Sequence, residues 1–108
     1  MRVAELVKQG GFNILNEPGD KEIRGVYISD MVSDIIGIDP GRLLVTLQTH
    51  KNLIAVANLV DVAAIIFSRG KVPTDDVLAL AKRAGIGLLG FDGDTWTLAK
   101  KLYELGIR

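Results

Sequence analysis

Between Leu43 and Pro73 the chain carries two short, almost unbroken apolar runs, Leu43-Leu44-Val45-Thr46-Leu47 and Ala63-Ala64-Ile65-Ile66-Phe67, with a third at Ile86 to Phe91. Runs of four to six apolar residues bounded by turn residues are too short for membrane spans. They are apolar on both faces of the extended chain, as strands are when layers cover both sides of a parallel sheet. Parallel strands need long crossovers, and the intervening segments have helical spacing. The expected architecture is therefore α/β, a three-layer domain with a largely parallel central sheet and helices on both faces.

The remaining elements follow from local chemistry. Val3, Leu6 and Val7 have helical spacing before Gly10-Gly11, and Phe12 to Leu15 can pair as a strand before the turn Asn16-Glu17-Pro18-Gly19-Asp20. Gly25 to Ser29 reads as a strand, with Asp30 as the N-cap of a short helix over Met31 to Ile36. Helices are predicted over Asn52 to Val60, from Thr74 as N-cap with Asp75 and Asp76 in the first turn, and from Asp94 as N-cap through Leu105. Gly85 closes the second of these. The segment Leu53 to Val60 is apolar on nearly every side, more than one sheet face needs, so self-association as a homodimer is expected.

With 108 residues the chain is sized for a single domain spanning residues 1–108, and it shows no repeat, linker or low-complexity tract. A composition 48% hydrophobic and 24% charged favours a folded globule. Thirteen basic residues balance thirteen acidic ones, so no global field exists to hold nucleic acid or an anionic membrane, and neither partner is expected. The absence of cysteine removes disulfides, thiolate chemistry and Cys-held zinc or iron–sulfur centres. That absence and an N-terminal segment unlike a signal peptide fit a cytoplasmic location.

In sheets of this kind ligands settle at the carboxyl ends of the strands. Three turns should meet there: Thr49-His50-Lys51-Asn52, Ser68-Arg69-Gly70-Lys71 and Asp92-Gly93-Asp94-Thr95. Basic residues beside helix N-termini suit a small anion, such as a nucleotide phosphate, held by backbone N–H groups of the first two turns with help from Lys51 and Arg69. The candidate ligand-binding residues are His50, Lys51, Asn52, Ser68, Arg69, Gly70, Asp94 and Thr95. An alternative reading makes them solvated loop side chains, with Thr49 and Thr74 as helix caps. No catalytic residue is assigned, because His50, the sole histidine, has no nucleophile or carboxylate beside it in sequence. Asp30, Asp34 and Asp39 offer fewer converging oxygens than a hard cation takes, so no metal is expected. Nor is any cofactor.

The pattern Ala63 to Pro73, then a capped helix, Ala84-Gly85-Ile86, a strand, and Asp94-Thr95-Trp96 entering a helix with Ala99 resembles the DRTGG domain family over nearly the whole chain. In that family an Asp-Arg pair follows one core strand and Thr-Gly-Gly the next. Here His50-Lys51 and Ser68-Arg69-Gly70 stand at those places, and Gly70 alone matches. The resemblance implies a fold similar to the N-terminal domain of HPr kinase/phosphorylase and a non-enzymatic role in regulation and subunit association. Small relatives of this branch carry hydrogenase-related or serine-kinase-related labels. Taken literally, neither suits these residues: no cysteine can hold a cluster, and Gly70-Lys71-Val72 lacks the rest of a phosphate loop. Two functions are thus expected in the alternative. One is a regulatory module sensing a small anionic ligand; the other is a protein-interaction subunit of a redox or kinase signalling system, with a protein partner and no ligand.

Overall fold

The computed structural model describes residues Met1–Arg108. The three apolar runs form strands β3 (Leu43–Thr46), β4 (Ala64–Phe67) and β5 (Leu88–Gly90). They lie side by side and parallel, Leu44 opposite Ile65 and Ile65 opposite Leu88. Leu44, Val45, Ile65, Ile66, Leu88 and Leu89 are all fully buried, as a sheet covered on both faces requires. At the outer side of β3, strand β2 (Val26–Ile28) is also parallel.

Side chains alternate between two cores with the period of the pleat. Leu44, Ile65, Phe67 and Leu88 pack with Ile35 of α2 (Val32–Ile35), Leu53, Ile54 and Ala57 of α3 (Lys51–Leu59), and Val77 and Ala81 of α4 (Asp75–Ala84). Leu43, Val45, Ile66 and Leu89 face the other way, onto Val3 and Leu6 of α1 (Val3–Lys8) and Leu98 and Leu102 of α5 (Thr95–Glu104). Strand order explains the division. The chain steps from β2 through β3 and β4 to β5 in one direction, so crossovers of one hand place α2, α3 and α4 on one face. Leaving β5, it crosses to the other face as α5.

Strand β1 (Asn13–Asn16) completes the sheet beside β5, antiparallel, giving the order β1-β5-β4-β3-β2. The register shifts between Ile14 and Asn16, and the Asn16 amide donates to the Ile86 carbonyl at 2.7 Å. Following β1, Pro18 presses on Gly87, where an added Cβ would come within 2.4 Å of the Pro18 Cβ. Only glycine admits that approach. Gly85 ends α4 with φ 73°, its N–H donating to the Lys82 carbonyl.

Four local expectations change. Asp30 does not cap α2; Met31 holds that position, and the Asp30 carboxylate reaches the end of β3, where Oδ1 accepts from Thr46 Oγ1 at 3.0 Å and Leu47 N at 2.7 Å. There one carboxylate oxygen satisfies two donors at once, the Thr46 hydroxyl and the Leu47 backbone N–H just past the end of the strand ladder. Thr74 occupies the N-cap position of α4 without a side-chain hydrogen bond, and Thr49 caps nothing, since His50 is the N-cap of α3. Helix α3 buries Leu53, Ile54 and Ala57 and half-buries Val56, so its exposed large apolar side chain is Leu59, at 73%. That is less free apolar surface than the sequence pattern implies. No helix is long and apolar enough to cross a membrane.

Candidate functional site

Because β2 to β5 are parallel, the turns that follow them share one edge of the sheet. Strands β4 and β5 send their helices to opposite faces, which opens the kind of crevice where open α/β sheets bind ligands. Here the protein fills that crevice itself. Arg69 N donates to the Gly93 carbonyl at 2.8 Å and Gly70 N to the Phe91 carbonyl at 2.9 Å. Ser68 N and Lys71 N donate to the Thr46 and Ser68 carbonyls, both at 3.3 Å. The buried Ser68 hydroxyl meets Thr95 Oγ1 at 2.7 Å. Every N–H of the Ser68 to Lys71 turn is therefore spent, and the expected backbone cradle for an anion does not exist at this turn. The physical reason is that loop N–H groups between two buried strand ends need partners whether or not a ligand comes.

Arg69 and Gly70 both have left-handed backbones, φ 59° and 66°. Gly70 takes that geometry freely, whereas arginine is strained in it. Asp94 caps α5 as expected, Oδ1 accepting from Thr97 N at 2.8 Å. The hydrogen bonds from Thr97 hold its carboxyl below the usual range, and the charge of Arg69 adds to the effect. Ser68, Arg69, Gly70, Asp94 and Thr95 thus form one joined loop pair.

His50, Lys51 and Asn52 stand apart from that pair, with no hydrogen bond or ion pair linking the two groups. The His50 side chain caps α3 through Nδ1, which accepts from Asn52 N at 3.2 Å, so the ring proton lies on Nε2. His50 N donates to Gln48 Oε1 at 2.9 Å, Gln48 N to Thr46 Oγ1 at 3.0 Å, and Thr46 Oγ1 to Asp30. A continuous chain of hydrogen bonds therefore runs from Asp30 to Asn52 along the ends of β2 and β3. Two clefts flank His50. One, of about 430 Å³, opens between Asp30, Met31, Ser33, Gln48 and Asn52; the other, of about 320 Å³, between Gln48, Lys51, Thr74 and Asp76. A larger cleft of about 600 Å³ lies between β1 and α4, lined by Ile14, Leu15, Leu78 and Lys82, away from these turns.

Asp30 and Gln48 are the members of this edge that sequence reasoning missed. Asp30 holds the β3 turn from the end of the neighbouring strand and Gln48 through bonds two residues away within the turn, and the one local signal, an acid just after a predicted strand, also fits a helix cap. Asp34 accepts from the Tyr27 hydroxyl at 2.7 Å, which raises the Tyr27 pKa, and Asp39 pairs with Arg42 at 3.4 Å. Asp30, Asp34 and Asp39 therefore serve three different partners.

A three-layer α/β sheet with polar, basic turns at its strand ends defines the class: a small domain with a DRTGG-like fold. No family model and no curated protein matches the chain. Among solved structures it is similar to the CBS and DRTGG domains of the regulatory region of Clostridium perfringens pyrophosphatase, a crystal structure in complex with the activator diadenosine tetraphosphate. The match has a TM-score of 0.66 at 16% identity and covers 91% of this chain and 44% of that one. The chain thus spans under half the length of that structure, and what the two share is the fold.

Proposed function

We propose that this chain is a non-enzymatic, cytoplasmic regulatory module that binds a small anionic ligand, a nucleotide, at the strand-end edge and couples occupancy to association with a second copy. The observation that carries this reading is the set of cations at that edge. Lys51, Arg69 and Lys71 are exposed on the turns after β3 and β4, and none forms an ion pair. Nearby acids form no salt bridge with them: Asp94 caps α5, Asp30 holds the β3 turn, and Asp92, beside Gly70, accepts from the Asn13 amide. Asp76 alone shares a cleft with Lys51. The similar pyrophosphatase regulatory region was crystallised with a nucleotide activator, and that agrees with an anion-binding role.

In this reading the site comprises His50, Lys51, Asn52, Ser68, Arg69, Gly70, Asp94 and Thr95, with a division of labour. The side chains of Lys51 and Arg69 hold the anion, because side-chain cations remain free where the backbone N–H groups of the second turn do not. Ser68, Gly70 and Thr95 set the shape of the loop pair. Thermal unfolding with ATP, diadenosine tetraphosphate and tripolyphosphate tests the binding: a ligand specific to the native state raises the midpoint with concentration. Sedimentation with and without the stabilising ligand tests association. Unmoved midpoints at millimolar concentrations refute the reading.

A second reading, an accessory subunit of a redox or kinase signalling system without a ligand, is favoured by α5. Trp96 and Tyr103, two turns apart on one face of the helix, are 75% and 60% exposed. Large exposed aromatics are typical anchors of protein interfaces. Under that reading no small molecule stabilises the chain.

A further inference from the structure

From the cleft beside Asp30 we infer a subsite for the vicinal hydroxyls of a phosphorylated ribose, which deepens the nucleotide reading above and rests on it. Oδ1 of Asp30 is fully engaged, accepting from Thr46 Oγ1 and Leu47 N, while Oδ2 has no protein donor. Two bonds fix the carboxylate in place and leave one anionic oxygen open at the strand-end edge, in a cleft of about 430 Å³. Asp30 is the sole charged residue lining it, so the cleft has no cation for a phosphate, its carboxylate repels one, and it favours a group that donates hydrogen bonds.

The donors beside it narrow the chemistry. With His50 Nδ1 occupied by Asn52 N, the ring presents Nε2–H, and with Gln48 Oε1 occupied by His50 N, the amide presents its NH₂. An ammonium ligand could use the carboxylate but not these two donors. A pair of adjacent hydroxyls uses both kinds of partner, donating to Asp30 Oδ2 and accepting from His50 and Gln48. Beyond His50 lies the cleft that contains Lys51, which shares Gln48 and His50 with this one and offers a cation to an attached phosphate. Met31, 64% exposed at the rim, supplies an apolar surface for the rest of the sugar or its base.

The test compares ATP, 2′-deoxy-ATP, ribose 5-phosphate and tripolyphosphate by calorimetric titration of the wild-type chain and of Asp30→Asn. Asparagine keeps the Oδ1 acceptor for Thr46 and Leu47 and replaces only Oδ2, so the fold should survive. The wild type should bind ATP about tenfold or more tightly than 2′-deoxy-ATP, the discrimination a hydrogen bond to a charged group supplies. In Asp30→Asn that ratio should collapse towards one, with tripolyphosphate affinity unchanged. Binding of ribose 5-phosphate with the same dependence on Asp30 assigns the subsite to the sugar rather than the base. Equal affinity of the wild type for ATP and its deoxy analogue overturns the inference while leaving the anion site standing, a result that needs no variant. Retention of the wild-type ratio by Asp30→Asn also overturns it. Failure of all four probes to bind overturns both readings.

Discussion

Replacing Thr95 by valine keeps the shape of the side chain and removes the one partner of the Ser68 hydroxyl, which is buried and 2.7 Å away. A buried hydroxyl left without a hydrogen bond costs about 1–3 kcal/mol. Ser68→Ala is the milder change, about 0.5–1.5 kcal/mol, because the half-buried Thr95 hydroxyl can turn to water. In the Ser68→Ala background Thr95→Val should then cost almost nothing, giving a coupling of about 1–3 kcal/mol between the two positions. For a domain of this size 1 kcal/mol moves the thermal midpoint by about 4–8 °C, so the single valine variant should be visibly less stable. Urea unfolding of the four proteins, read as midpoint shifts at constant m, measures the cycle. Additive costs to within about 0.3 kcal/mol, or a neutral Thr95→Val, would refute the view that this bond closes the crevice between the loops after β4 and β5.

The double variant Lys51→Ala/Arg69→Ala should weaken nucleotide and tripolyphosphate binding while leaving the thermal midpoint of the free protein nearly unchanged, since both side chains are exposed and unpaired. Arg69→Gly should separate strain from function: with φ at 59°, loss of the Cβ raises stability by up to about 1 kcal/mol in calorimetry, yet anion binding falls. Acid titration should report Asp94, whose carboxyl the Thr97 hydrogen bonds hold below its unfolded value near 3.9. Its contribution is complete above the unfolded pKa and is lost as pH falls through the lower folded value, so in urea unfolding between about pH 5 and 2 Asp94→Asn should show a shallower acid loss than wild type. Asparagine keeps the Oδ1 acceptor for Thr97, which makes an equal acid slope evidence against this origin.

Strands β3, β4 and β5 were legible in the sequence because burial on both faces leaves an unbroken apolar run, and that pattern is local. Helix α5 was legible through Asp94, and the end of α4 through Gly85, for the same reason: a cap bonds residues two to four positions away. That the three turns share one edge of the sheet followed from parallel strands alone. The resemblance of the pattern Ala63 to Pro73 and Asp94 to Ala99 to DRTGG domains agreed with the fold found.

Tertiary structure decided the rest, where a group had several suitors and distance in sequence gave no preference. Asp30 could cap its own helix or reach a strand 16 residues on, and the charged bond to Leu47 N at 2.7 Å prevailed over the local cap. Strand β1 took the outer edge of β5, antiparallel and far from its sequence neighbour β2, although the outer edge of β2 was open as well, a choice that local sequence does not make. The turn after β4 looked like an anion cradle, yet its N–H groups bond to the Phe91, Gly93, Thr46 and Ser68 carbonyls. Sequence determines which backbone groups must find partners; the packed chain determines which partners they find, and so moves the open polar surface from Gly70 to the clefts beside His50.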